Sequence, residues 1–428
     1  MWVVWEAIDV EDDRTQIRGR RRFGGVWAAT SSGLDDEDLD TTDNLDDVEP
    51  PTLQPSLTWS DHDYRLSYVR RTRTGCAMGC GLIPYQVGYT GTFAPVFAGV
   101  VHGFPLNICQ RVGLTQLLDE EADDVRWVPT WTRQQLVSTC LPPVPKDLWE
   151  AHDDLGANWV DDEPPYAPGT LFDLANDPTG VAAAEHHLDA AVGGNDRSIA
   201  LVYDDWHVVP HVVAFAGFER NPAGPPEYVP AGIKPISNGD PVCPGECEAT
   251  HGTLDRLFAP EAVVTAWVED RDGGETVILH RRCVGLTPDC ADGTASWTPN
   301  IGAPAEVVID DGNPVDHPTI VVVPSKDASG TIFPSIYVIY ETVVDGQKLV
   351  ASSKRTCIGA PTDSLTFAQT VIDPPLLGES QALSATGTGS VDVADAAGVI
   401  HVVWTERYLS GGLKRDRIQN ASEPFPSC

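Results

Sequence analysis

The apolar positions of this 428-residue chain fall in short runs of β-branched and aromatic residues bounded by Gly, Pro, Asp and Asn. That is the pattern of strands separated by turns. Only residues 114 to 124 (LTQLLDEEADD) and 133 to 139 (RQQLVST) carry a spacing that predicts short helices. The pattern predicts an all-β chain.

One unit recurs along it: an apolar strand ending in Trp, Tyr or an acidic pair, a polar turn, a second strand ending in basic residues, a Cys/Gly/Pro loop and a third strand. Residues 262 to 299 show it as AVVTAWVED, RDGG, ETVILHRR, CVGLTPDCADG and TASWTP. Residues 1 to 30, 56 to 90, 335 to 371 and 399 to 419 repeat it, and shorter copies begin near Phe97 and Ile199. A three- or four-stranded meander cannot bury both faces alone, whereas stacking its neighbours around an axis buries them. The repeat therefore predicts a single β-propeller of six to eight blades, seven fitting best, over residues 1–428, with both termini closing the ring so that no edge strand stays open. The interval between Phe97 and Ile199 has room for a further blade around VRWVPTW or for a long insertion. Residues 141–196, rich in Pro, Asp and Gly, are expected to be an irregular insertion within the propeller. A string of β-sandwiches is the alternative, because it too places turn signals every ~8–12 residues.

Composition narrows the function. With 63 Asp+Glu against 28 Lys+Arg, the formal net charge of −35 repels phosphate backbones and anionic headgroups, which argues against nucleic-acid and membrane-surface partners. No apolar run reaches the ~20 residues that span a bilayer as a helix. The same field attracts cationic proteins and divalent ions.

The ten cysteines fall as near neighbours: Cys76 with Cys80, Cys109 with Cys140, Cys243 with Cys247, Cys283 with Cys290, and Cys357 with Cys428. Local disulfides in an oxidising compartment explain this grouping, and zinc is the rival, although no CxxC pair occurs. Disulfides imply an extracellular or cell-surface protein, yet the opening MWVVWEAIDVEDD has no signal-type segment. A mature or truncated form, or a piece of a longer polypeptide, would reconcile the two.

Residues 34–49 (LDDEDLDTTDNLDDVE) carry nine acids and no base. They read either as a solvated loop or as a calcium site in which Asp35, Asp36, Asp38 and Asp40 supply the carboxylates that a hard cation requires. His152 with Asp153, Asp154, Asp161 and Asp162 is a second candidate metal loop. His186 and His187 are adjacent, so on a strand they point to opposite faces and do not ligate together. The basic strand ends Arg70, Arg71, Arg281, Arg282, Lys354 and Arg355 read as outer-strand charges that pair with the acid excess. Trp5, Trp59, Trp267 and Trp404 share one phase of the repeat and read as core between blades.

The strand IHVVWTE after a DAAG turn, and DGTASW at residues 292 to 297, resemble the sialidase-like propellers built from BNR repeats, DGTASW standing for the Asp-box S-x-D-x-G-x-x-W. The resemblance implies a propeller in which Asp292, Gly293 and Trp297 stabilise a hairpin away from any active site. It also implies three arginines clamping a carboxylate, a Tyr/Glu nucleophilic pair and an acid/base Asp. The early Arg-Ile-Pro element of that set is missing from this sequence. The functional expectation is a secreted or cell-surface binding or assembly module without catalysis. Its partners would be a protein or a second copy of itself, with carbohydrate as a further ligand class and calcium as the one cofactor candidate. The alternative is a divergent glycoside hydrolase or lyase of the same fold, with its site at the axial end of the propeller.

Overall fold

In the computed structural model the side chains are described for residues 198–204, 210–219, 231–237, 247–257, 261–271, 274–345, 348–370, 391–394, 398–404 and 419–428. Beyond these, the structure describes the backbone of the strands named below. The chain divides into two compact units, residues 1–184 and residues 185–428.

The first unit contains three antiparallel sheets among its described strands. In one, β2 (Arg14–Phe23) pairs with β1 (Trp2–Asp9), β3 (Val26–Trp27) and β4 (Glu37–Asp38). The next is a meander in chain order of β5 (Ser56–Ser60), β6 (Asp63–Arg71), β7 (Leu82–Thr90) and β8 (Pro95–Val100). The third is β9 (Leu114–Glu121), β10 (Asp124–Gln134), β11 (Lys146–Asp153) and β12 (Trp159–Asp161). The helix expected at residues 114 to 124 is thus corrected to a β-hairpin. Leu114 pairs with Trp131 and Glu121 with Asp124, and this cross-strand register overrides the helical spacing of the leucines. Residues 133 and 134 belong to β10, and the rest of the second expected helix lies outside the described residues. The repeat copy near Phe97 is the last strand of the second sheet, and VRWVPTW lies in β10.

Among its described strands the second unit contains four sheets. The first is β13 (His186–Gly193), β14 (Ser198–Asp205), β15 (Val212–Arg220) and β16 (Tyr228–Pro235). The second is β17 (Glu248–Phe258), β18 (Glu261–Arg271) and β19 (Glu275–Val284), with β20 (Trp297–Thr298) and β21 (Glu306–Ile309) both on β19. The third is β22 (Val315–Lys326), β23 (Ile332–Val344), β24 (Gln347–Arg355) and β25 (Ala368–Val371). In the last, β28 (Val399–Ser410) pairs with β26 (Gln381–Ala382), β27 (Val391–Ala396) and β29 (Leu413–Pro424). Residues 141–196, expected as irregular, therefore include β11, β12 and β13. The α-helix among the described residues, α1 (Thr287–Asp292), occupies the Cys/Gly/Pro loop, and no described helix is long and apolar enough to cross a membrane.

Period-2 alternation decides the packing of this unit. On β18, Val263 and Trp267 join the core shared with Val202, Val213 and Phe215 of the preceding sheet. Val264, Ala266 and Val268 point the other way, into the core shared with Val322, Ile336 and Val338 of the following sheet. On β23, Tyr337 and Ile339 in turn meet Ile400, Val402 and Trp404. A sheet apolar on both faces is stable only between two others, and burial of each such side chain contributes roughly 1.5–3 kcal/mol. The first strands run side by side in sequence, β13 with β17, β17 with β22 and β22 with β27. Trp267 and Trp404 are core residues, while the side chains of Trp5 and Trp59 lie outside the described residues.

The α1 loop is closed by a Cys283–Cys290 disulfide, and Cys357 is bonded to Cys428 across 71 positions of sequence. Cys247 is also disulfide-bonded. The pairings of Cys76, Cys80, Cys109, Cys140 and Cys243 lie outside the described residues. Trp297 is buried against Phe215, edge to face at 5.1 Å, and its indole N–H donates to the Cys290 carbonyl at 3.1 Å. Asp292 Oδ1 accepts the Thr294 N–H at 2.6 Å, next to Gly293 at φ 91°. DGTASW thus runs from the end of α1 through Gly293 into β20.

Arg281 corrects the expectation for the basic strand ends. Its guanidinium is fully buried and donates to the carbonyls of Ile236, Pro299, Asn300 and Ala303 at 2.6 to 2.8 Å. Arg355 does pair with acids, Asp363 and Glu306, and Lys354 pairs with Glu423. The side chains of Arg70 and Arg71 lie outside the described residues.

Candidate functional site

Two first strands, β17 and β22, carry the same irregularity at the same place. The register of β17 shifts between Thr250 and Thr253, and that of β22 between Asp316 and Thr319. Each bulge inserts one extra residue, and each contains a histidine in the left-handed region, His251 at φ 54° and His317 at φ 46°. Such a conformation in a residue with a Cβ costs on the order of 1–3 kcal/mol and persists only where the surroundings enforce it. Here they do. Asp204 of the preceding sheet accepts the N–H of His251 at 2.8 Å and of Gly252 at 3.1 Å. A Cβ at Gly252 would sit 2.5 Å from Val213 Cγ1, so only glycine fits.

The two bulges bring their side chains together. The His251 and His317 rings face each other with centroids 4.3 Å apart and planes 35° from parallel. Asp316 lies against both, its Oδ1 3.0 Å from His251 Nδ1 and its Oδ2 3.1 Å from His317 Nδ1. One donor atom from each of the three residues lies within 4.8 Å of the other two. Glu341, opposite Asp316 in the strand register, lies 3.9 Å from His317 Nδ1 and accepts a 2.7 Å hydrogen bond from Lys348 Nζ.

His251, Asp316, Glu341 and Lys348 line a cavity of about 280 Å³ between the β17 and β22 sheets, with Asp270 and the hydroxyls of Thr250, Thr276 and Thr342. The electrostatics follow from burial and partners. Burial pushes the Asp204 carboxyl up to about 7, against the lowering effect of His251 and the two N–H groups. Burial opposes protonation of His251, but the Asp316 carboxylate outweighs it and raises the imidazole above its ordinary value. Burial raises the Asp316 carboxyl, but the two imidazoles beside it outweigh that effect and hold it well below the usual carboxylate range. Asp270 is raised by burial and by the like charges of Asp316 and Glu248. The site offers two imidazoles and three carboxylates around one ammonium, an arrangement able to hold a cation or to hydrogen-bond a polar ligand.

None of these residues was a candidate in the sequence. The signal was present in the strings Thr250-His251-Gly252-Thr253-Leu254 and Asp316-His317-Pro318-Thr319-Ile320, a His followed by Gly or Pro, then Thr and an aliphatic residue, recurring at 317 − 251 = 66 positions. A lone histidine on an apolar strand hides it, because the bulge that re-aims the ring is not visible as hydrophobic periodicity. Of the candidate calcium ligands, Asp38 belongs to β4, which pairs with β2, and the side chains of Asp35, Asp36, Asp38 and Asp40 lie outside the described residues. His152 pairs with Val160 and Ala151 with Asp161 in backbone register, and their side chains also lie outside the description.

No protein-family model matches the chain, and no curated protein does. Among solved structures it is similar to a polysaccharide lyase, Uly1, at 10% identity over 86% of this chain and 88% of that one, with a TM-score of 0.44. It is similar to a fucose-specific lectin from Aleuria aurantia at 10% identity over 85% and 95% of the two chains, with a TM-score of 0.41. It is also similar to a Hadza microbial sialidase, Hz136, at 11% identity over 82% of this chain, with a TM-score of 0.40, and spans 62% of that sialidase's length.

Proposed function

We propose that this chain is an exported β-propeller whose seven described sheets are blades, and that it acts as a non-catalytic binding module holding a carbohydrate in the cavity between the β17 and β22 sheets. The observation that carries this reading is the cavity lining. Asp270 and Glu341 accept hydrogen bonds, Lys348 donates, and Thr250, Thr276 and Thr342 do both, all around about 280 Å³. A polyhydroxylated ligand presents donor and acceptor at each hydroxyl and matches such a mixed lining, whereas an apolar ligand would leave these groups unpaired. The propeller reading is supported by sheets buried on both faces with their first strands side by side. Export is supported by the disulfides. The acidic surface suits a cationic protein partner, and residues 35 to 40 remain the proposed calcium loop.

Calorimetric titration of the full chain with neutral, amino and uronic-acid oligosaccharides, followed by product analysis of the same mixtures, tests the reading. Saturable binding that Asp270→Asn weakens, with the sugar recovered intact, is the expected result. Cleaved product would instead establish the second reading, a glycoside hydrolase or lyase, which is favoured by Asp270, Asp316 and Glu341 lining one cavity. Failure of every sugar to bind would remove both.

A further inference from the structure

We propose that His251, Asp316 and His317 form a binding site for a divalent transition-metal ion of the zinc type. The proposal does not rest on carbohydrate binding. Its first ground is donor placement. Two imidazole nitrogens lie 3.0 and 3.1 Å from the oxygens of one carboxylate. In a tetrahedral zinc site with bonds of ~2.0–2.1 Å the ligand atoms stand ~3.3 Å apart; each imidazole already lies close to that distance from the carboxylate, and the three donor atoms lie within 4.8 Å of one another.

The second ground is independent of that spacing. His317 is 92% buried (8% exposed), and neither of its ring nitrogens makes a hydrogen bond. Its Nδ1 lies close to Asp316 without being aligned on it, so the lone pair or N–H is directed elsewhere. A buried imidazole normally has its polar atoms satisfied, and ligation satisfies this one.

The donor set selects the ion. Two imidazoles with one carboxylate suit zinc and its first-row neighbours, while calcium and magnesium require oxygen-rich shells. Three protein donors leave a coordination position for water or a ligand, and His251 and Asp316 both line the cavity. Asp204 then acts as a positioning residue, because it fixes the backbone from which His251 projects.

The full chain is stripped with a chelator, dialysed and titrated with zinc chloride and, separately, calcium chloride by calorimetry and thermal melting. Zinc is expected to bind and raise the melting temperature, calcium to leave it unchanged at this site, and His317→Gln to weaken zinc by at least about tenfold, the loss caused by removing even an outer-shell partner. Cobalt substitution of the unaltered chain gives a readout independent of any variant, with visible absorption and hyperfine shifts of two histidine ligands expected. Absence of zinc binding in the unaltered chain, zinc affinity undiminished in folded His251→Gln and His317→Gln proteins, or a cobalt spectrum without histidine ligation would each overturn the assignment.

Discussion

The Asp204 carboxylate reaches from β14 to the neighbouring sheet and accepts the His251 N–H at 2.8 Å, so the bulge that aims one imidazole is held by an acid some 47 positions earlier in the chain. Asp255 repeats the device one sheet on, accepting the Val322 N–H at 2.8 Å. First strands have an unpaired edge, and a carboxylate from the adjacent sheet satisfies the exposed donors there. Asp204→Ala would leave the N–H groups of His251 and Gly252 buried without an acceptor, at ~1–3 kcal/mol each, offset in part by relief of the carboxylate's desolvation. A net loss of about 2 kcal/mol is expected in urea denaturation, with Asp204→Asn milder because its amide oxygen still accepts. An Asp204→Ala protein as stable as the parent would show that the bulge holds itself.

Arg281 has the opposite character to that suggested by its place at a strand end. Its guanidinium serves as a hub for four backbone carbonyls, all from loops flanking the β19 sheet. Arg281→Met keeps the aliphatic stem but removes every donor, so the loss should be at least about 3 kcal/mol, the level found when a buried charged network is broken. Arg281→Lys should recover little, since one ammonium cannot serve the fork geometry. Denaturant midpoints of the two variants check this, and a midpoint for Arg281→Met within error of the parent would refute it.

The all-β succession of antiparallel sheets was legible in the sequence because burial on both faces forces long apolar runs on the middle strands, as in AVVTAWVED and SIYVIYETVV, separated by turn residues. Strand periodicity failed at LTQLLDEE, where leucine spacing mimics a helix and only the partner strand decides. It failed for a different reason at the site. His251, Asp316, His317 and Glu341 come together through bulges and sheet-to-sheet packing, neither of which changes the local pattern of apolar residues. Arg281 was misread because charge in a sequence signals exposure until a structure reveals the carbonyls around it.

The Arg355–Asp363 pair makes stability depend on acid. The guanidinium donates from Nε at 3.1 Å and from Nη2 at 3.0 Å to the two oxygens of Asp363, which also accepts the N–H groups of Gly359 and Leu365. Burial alone would raise the Asp363 carboxyl, but these bonds together outweigh it and hold the carboxyl down at about 2. The ionised group therefore stabilises the folded chain above the unfolded value near 3.8, and the contribution disappears as pH falls through about 2. Melting temperature should drop across that window in the parent and drop less steeply in Asp363→Asn, whose stability should already be lower at neutral pH. Parallel profiles for the two proteins would dissociate the pair from acid unfolding.

Cys357 and Cys428 are joined across a sequence separation of 71, and Cys428 N–H also donates to the Lys326 carbonyl at 2.9 Å while Ser427 forms a parallel bridge to Lys326. The C-terminal segment is thus fastened to the β22 sheet, whose other end carries Asp316 and His317. On the chain-entropy account a cross-link of this span stabilises by ~4 kcal/mol, and measured values run at ~2–4. The Cys283–Cys290 loop spans a separation of only 7 and should matter less on that account. Replacing Cys357 and Cys428 together by serine should lower the denaturant midpoint by more than replacing Cys283 and Cys290. The reverse order would show that packing of α1, through Cys290 and Trp297, outweighs loop closure.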